Sequence, residues 1–360
     1  MISSETDILV IGAGPAGCAA ALAAAKQGLR VVVLDRKERI EKPVRCGELV
    51  PRLMLGEWHV PDKAVAQTTD GIVLHLPSGE PRILRAPGAV LNREIFNQYL
   101  MDRSEHTGSK VLFGTELLEF KAGLATVRKS GTTGLVRCRV LIGADGPRSK
   151  TAGCAGLGRP DTFYALQEVV RLKSPISCAQ LYFSKSYPLG YAWLFPKGDQ
   201  ANLGLAANWP KIRQAGLELE LLKVRLQDEG ILVPGPRISR VAGLVPVSGP
   251  LERIATEDVL LCGDAAGQVD PLTGAGILHA LRCGTLAGES AASPPAFAAA
   301  SAEEAQAGLI YQWMFQREYG AYFSRALSRR KELEVSWDRN LDEALIKAWR
   351  IKSKARTRYD

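Results

Sequence analysis

Gly12, Gly14 and Gly17 stand in the run GAGPAG, and Asp35 follows Gly14 by 21 positions. Three glycines at this spacing do a defined job. The first permits a tight turn, the second lets backbone approach a pyrophosphate, and the third lets a helix pack closely on a strand. The order fits: residues 8–11 are apolar, residues 18–27 are alanine-rich, and a second apolar run at 31–34 ends in Asp35. Strand, turn, helix, strand and acid therefore come in sequence. The helix N-terminus faces an anion, and the acid hydrogen-bonds a ribose hydroxyl. Pro15 and Ala16 lie inside the loop and Arg36 follows the acid, so both flanks join the candidate nucleotide contacts.

Two further glycine turns belong with the first. Gly143-Ala144-Asp145-Gly146 ends an apolar run, and GDAAGQVDPLTGAGILHAL begins at Gly263, with Asp264, Pro271, Gly274, Ala275, Gly276 and Ile277 in order. Asp-Gly alone is ordinary turn chemistry. Together, the three segments make the chain resemble the flavoprotein superfamily that includes aromatic hydroxylases. The resemblance implies FAD, with its ADP half on the first segment. It implies that Asp264 hydrogen-bonds the ribityl chain and that Pro271 and residues 274–277 approach the pyrimidine side of the flavin. Arg93 matches the arginine of the superfamily's R-x-x-F-D-x-x-L pattern, although Asn97 stands where that pattern has aspartate.

Two other strings bear on the reaction. Tyr191-Ala-Trp193-Leu-Phe195-Pro196 alternates so that Tyr191, Trp193 and Phe195 share one face of a strand, a flat apolar wall suited to a greasy substrate. With Asn202-Leu-Gly204 after it, this string resembles the Y-x-W-x-F-P motif of the geranylgeranyl reductase family. Residues 43–47, PVRCG, resemble that family's Cys-Gly site beside flavin and substrate. The resemblance, which covers roughly residues 5–290, implies that reduced FAD saturates C=C bonds of a prenyl chain on a lipid, quinone or pigment. Cys46, Gly47, Tyr191, Trp193 and Phe195 would line the reaction site, and Arg45, Cys46 and Gly47 would also meet the cofactor. NAD(P)H or a ferredoxin, which would be a partner protein, would supply the electrons. Cys46, Tyr191, His279 and a water molecule all stand as sources of the proton. A flavin monooxygenase, or a flavoprotein that only binds flavin or passes electrons, would share the same cofactor segments.

The elements that must position these residues give an α/β fold. A Rossmann-like FAD-binding domain is expected over residues 1–70, 90–160 and 245–295, because orderly strand–helix alternation stops after Asp35 and resumes near residue 259. A mostly antiparallel β-sheet substrate domain is inserted at 71–89 and 161–244, where aromatic and branched residues alternate between turn signals. Residues 90–101 have helical spacing, as do 217–229, and a helical, basic segment fills 296–360. From Arg317 onward there are twelve Lys and Arg against seven Asp and Glu, so much of the net charge of +8 sits there. That tail suits an anionic membrane surface or simply a solvated helix face. No nucleic-acid-binding motif is present. Seven cysteines lack CxxC or CxxH spacing, which excludes zinc and iron–sulfur ligation and fits a reducing compartment. The expected location is the cytoplasm, with any membrane contact peripheral, since no run of about twenty apolar residues occurs.

Overall fold

A computed structural model describes residues 3–40, 44–79, 81–209, 212–292 and 306–351. Pro43 of the Cys-Gly string, residues 293–305 of the C-terminal segment and its last basic residues, 352–360, lie outside the described residues. The chain passes repeatedly between two units. β1 (Ser3–Ile11), α1 (Pro15–Lys26) and β2 (Val31–Leu34) open the first. β3 (Leu49–Pro51), α2 (Leu53–Glu57), β4 (Val65–Thr69), β5 (Ile72–His75), β6 (Pro81–Leu84) and β7 (Gly88–Leu91) open the second. α3 (Arg93–His106), β8 (Lys110–Leu112), β9 (Thr115–Lys121), β10 (Leu124–Lys129), β11 (Thr132–Gly143) and α4 (Lys150–Cys154) return to the first. β12 (Thr162–Arg171), β13 (Ala179–Tyr182), β14 (Tyr191–Lys197), β15 (Gln200–Ala207), α5 (Ile212–Asp228) and β16 (Ser239–Pro246) complete the sheet of the second. β17 (Val259–Leu261) and α6 (Ile277–Ala292) close the first, α7 (Ala307–Ser336) supplies residues to both, and α8 (Leu341–Ala348) ends in the second.

In the first unit β8, β2, β1 and β11 run parallel, with β17 beside the end of β11 and the β10–β9 pair antiparallel on its first half. β1 reads Ile8, Leu9, Val10, each fully buried, as a strand covered on both faces must. α1 is alanine-rich for a packing reason: α6 lies so close that a Cβ on Gly284 would fall 2.2 Å from Ala16 O, and one on Gly288 2.3 Å from Ala20 O. Small residues on both helices allow the approach.

In the second unit the strand order is β16-β12-β15-β14-β13-β5-β6; from β12 to β6 the pairs are antiparallel except for β13–β5. α5 packs Ala215, Leu219, Leu222 and Leu226 against Leu203, Leu205 and neighbours of that sheet. The small β3-β7-β4 sheet stands beside the segment that carries Cys46.

The structure corrects three expectations. Helical spacing over 90–101 begins too early, because residues 88–91 pair as β7 and the helix starts at Arg93. Residues 44–70 group with the second unit instead of the first, since β3 and β4 pair with β7 there. The C-terminal helices are no separate region: α7 contributes residues up to Arg325 to the first unit and the rest, with α8, to the second.

Candidate functional site

The residues expected to meet the nucleotide converge in the first unit. Gly12 has φ +104°, and a Cβ there would stand 2.4 Å from Ala144 O; at Gly17 it would stand 1.8 Å from Gly12 O. Both positions therefore exclude any side chain. Gly14 is different. It is the N-cap of α1, Pro15 follows with its ring-fixed φ, and a Cβ on Gly14 would meet nothing within 4 Å. Open space thus lies where helix N–H groups without intrahelical partners point outward, the cradle a pyrophosphate requires.

Asp35 sits at the end of β2 and accepts hydrogen bonds from Ala13 N–H at 2.9 Å and Lys37 N–H at 2.9 Å. Each carboxylate oxygen keeps a further lone pair for a ribose hydroxyl. Arg36, beside it, is exposed. Asp145 is committed otherwise. Its carboxylate accepts from Ser149 Oγ, Lys150 N–H, Thr151 N–H and Thr151 Oγ1, which fixes the start of α4 and makes its contribution to the turn one of positioning.

The 263–277 segment closes on the same place, since a Cβ on Gly263, itself at φ +63°, would lie 2.8 Å from the Ala16 Cβ. Half-buried Asp264 accepts no side-chain hydrogen bond from another described residue, and its Oδ1 lies 3.5 Å from where a Gly276 Cβ would stand. Burial pushes its carboxyl up to about 6, while the Arg93 charge opposes the rise. Arg93 is itself buried and donates from Nε to Asn97 Oδ1 at 3.2 Å, one turn along α3, so asparagine here does the orienting for which aspartate was expected. An oriented carboxylate without donors, next to bare glycine backbone, fits a polyol chain such as the ribityl of FAD.

Sequence reading missed the struts of this loop. Gln268 Oε1 accepts from Gly263 N–H at 2.8 Å and its Nε2 donates to Tyr311 OH at 2.9 Å, which in turn donates to Leu261 O. Asp270 accepts from Leu272 N–H, Thr273 N–H and Tyr322 OH, bracketing Pro271, and its backbone N–H bonds Ala275 O beside Gly274. His279, from the first turn of α6 after Ile277, lies 3.3 Å by Nε2 from Tyr322 OH, and burial lowers its pKa. The partners come from α7, where helical spacing alone carries no sign of a site.

In the second unit the three aromatics of β14 do form one face. Tyr191 meets Trp193 edge-on at 6.1 Å between centroids, and Trp193 stacks on Phe195 at 6.0 Å. Trp349, just past α8, adds an edge against Tyr191 at 5.8 Å. The motif's glycine has a mechanical role: Gly204 pairs with Trp193 across β15, and a Cβ there would strike the indole at 2.4 Å.

Cys46 and Gly47 are clamped to this wall. Trp193 Nε1 donates to Gln167 Oε1 at 3.0 Å, and Gln167 Nε2 donates to Cys46 O at 3.0 Å. Asn202 Nδ2 reaches Gly47 O at 3.1 Å and Glu48 Oε2 at 2.6 Å; Lys197 Nζ reaches the same Glu48 oxygen at 2.6 Å. Glu48 holds φ +72° and donates its N–H to Cys46 Sγ at 3.3 Å. A side chain on Gly47 would stand 2.9 Å from Phe195. Arg45 runs beside Gly243 of β16. Glu48, Lys197 and Gln167 were not legible beforehand, because their partners lie 26 to 149 residues away.

A glycine-lined cradle at a helix N-terminus, with a carboxylate beside bare glycine backbone, fits an FAD-binding protein. A family profile described as "FAD binding domain" matches residues 5–173. The digeranylgeranylglycerophospholipid reductase of Methanocaldococcus jannaschii is 32% identical over 352 residues, covering 93% of this chain and 88% of the relative. Digeranylgeranylglycerophospholipid reductase 1 of Methanopyrus kandleri is 38% identical over 309 residues, 80% of each chain. Among solved structures, a geranylgeranyl bacteriochlorophyll reductase-like protein from Thermoplasma acidophilum superposes with a TM-score of 0.85 at 28% identity, covering 96% of both chains. The chain belongs to the geranylgeranyl reductase family and is an FAD-dependent reductase.

Proposed function

We propose that this reductase saturates C=C bonds in the prenyl chains of a lipid, as the names of its relatives state for them. The observation that carries the reading is the aromatic wall of Tyr191, Trp193 and Phe195 with the Cys46–Gly47 turn clamped on it: an apolar surface on which the Trp193 N–H is taken up by Gln167 and Lys197, at the end of the same strand, is paired with Glu48. An isolated alkene offers nothing to polarise, so the protein's work is to hold the chain and exclude water. FAD, when bound and reduced by NAD(P)H or a ferredoxin, would supply a hydride to one alkene carbon, and a proton from Cys46, Tyr191 or a water would complete the other. Gly14 and Asp35 hold its ADP half, Asp264 its ribityl chain, and the 270–277 loop its ring, while Trp193 and Phe195 hold the alkene flat. Contact with a membrane would be peripheral, since no helix among the described residues is long and apolar enough to cross one.

The test is anaerobic incubation of the dithionite-reduced holoenzyme with unsaturated archaeal-type ether lipids, read by mass spectrometry. Mass gains in steps of two hydrogens are expected. Products heavier by one oxygen under air, with no hydrogen gain anaerobically, would sink the reading.

A further inference from the structure

The second unit carries a cavity on the side of its sheet away from the aromatic wall. Successive residues of β12 mark the two sides: Gln167 bonds Trp193 and the Cys46 carbonyl, whereas Glu168 points to Lys223 of α5. The cavity, of about 420 Å³, lies between β12, α5 and the 232–238 turn. Its lining divides into two kinds. Arg171, Lys223 and Arg237 bring three cations, and no carboxylate lines it; Val170, Leu232, Val233, Pro236 and Ile238 bring apolar surface.

The two guanidinium groups have donors to give. Among the described residues the nearest carboxylate oxygen to Arg171 is Asp199 Oδ2 at 3.8 Å, and to Arg237 is Glu168 Oε1 at 3.8 Å, both beyond hydrogen-bond reach. Lys223 is already fixed by Glu168 at 3.4 Å and Glu220 at 2.7 Å. Glu168, behind the lining, is fully buried and also faces Arg240 Nε at 3.1 Å, so one carboxylate gathers three cations and leaves the cluster positive. In its lining, Val233 and Ile238 are 42% and 47% exposed. Large aliphatic side chains left in water next to underused guanidinium forks suit a ligand that is charged at one end and greasy at the other.

We propose that this cavity binds a phosphate-bearing amphiphile, its phosphate on Arg171 and Arg237 and the first carbons of its chain on Val233 and Ile238, as a lipid site separate from the reductase site. It involves no cofactor-binding residue, so it stands whether or not prenyl reduction proves to be the reaction. The experiment titrates FAD-loaded protein with monomeric dihexanoylphosphatidylglycerol, dihexanoylphosphatidylcholine and inorganic phosphate by calorimetry. The anionic lipid is expected to bind best, at least about tenfold better than inorganic phosphate. In the Arg171→Gln/Arg237→Gln protein its affinity falls about tenfold or more. Val233→Ser/Ile238→Ser lowers lipid affinity several-fold and leaves phosphate binding unchanged. Arg171→Gln alone, which touches neither Glu168 nor the sheet interior, guards against misfolding and should still weaken lipid binding. Equal lipid affinity in wild type and both arginine variants overturns the proposal. Equal affinity for phosphatidylcholine overturns the phosphate-charge part, and phosphate binding as tightly as lipid overturns the amphiphile part.

Discussion

Asp264 shows what burying a carboxyl costs a fold. A carboxyl held at about 6 in the folded chain and at 3.8 when unfolded binds more protons in the native state between those values, so stability falls as pH rises from about 4 to 6 and the loss persists above. With the group only half-buried, we expect roughly 2 kcal/mol. Asp264→Asn should therefore raise the melting temperature of cofactor-free protein at pH 7, flatten its stability profile between pH 4 and 6, and weaken FAD binding at least about tenfold. Scanning calorimetry across that pH range and flavin fluorescence titration check both halves; a destabilised Asn variant would contradict the assignment. Gly204 is the matching residue of the second unit. Gly204→Ala must displace the Trp193 indole or the β12 backbone, whose Leu166 O lies 2.8 Å from the new Cβ, at about 1–3 kcal/mol. Retained FAD with loss of prenyl turnover and a shifted tryptophan emission is the expected outcome.

At the scale of elements, the α1–α6 seam sets how close β1's turn and the 263–277 loop come. Gly284→Ala places a methyl 2.2 Å from Ala16 O, so the helices must part; we expect about 1–3 kcal/mol of lost stability and reduced FAD retention on gel filtration. Unchanged melting and flavin content would show that the seam yields freely. What the sequence disclosed follows the same line. The glycine turns, β1, α1, β2 and the β14 string were readable because each signal is local: a period, a cap, a tight turn. The helical spacing of Ile95, Phe96, Tyr99 and Leu100 takes in Val90 and Leu91 at its start, and only their pairing with β3 and β4 makes them strand. Glu48, Gln167, Gln268 and Tyr322 act through partners distant in the chain, and no periodicity encodes such pairs.

For the whole molecule, the first unit is assembled from three stretches, Met1–Lys42, Arg93–Thr162 and Pro246–Arg325. The match to the FAD-binding profile ends at residue 173, yet Asp264, β17 and α6 lie beyond it. A truncated protein of residues 1–173 is thus expected to hold no flavin and to aggregate, as judged by absorbance of bound cofactor and light scattering; a soluble, flavin-bearing fragment would refute this. The feature behind the expectation is α1, whose residues from Ala16 to Ala25 are all buried, largely by a helix that begins at Ile277. During synthesis α1 leaves the ribosome well before α6 has been made. At about 5–20 residues per second its cover follows after a delay of roughly ten seconds or more, so the nascent chain must keep an all-apolar helix out of trouble until most of it has been made.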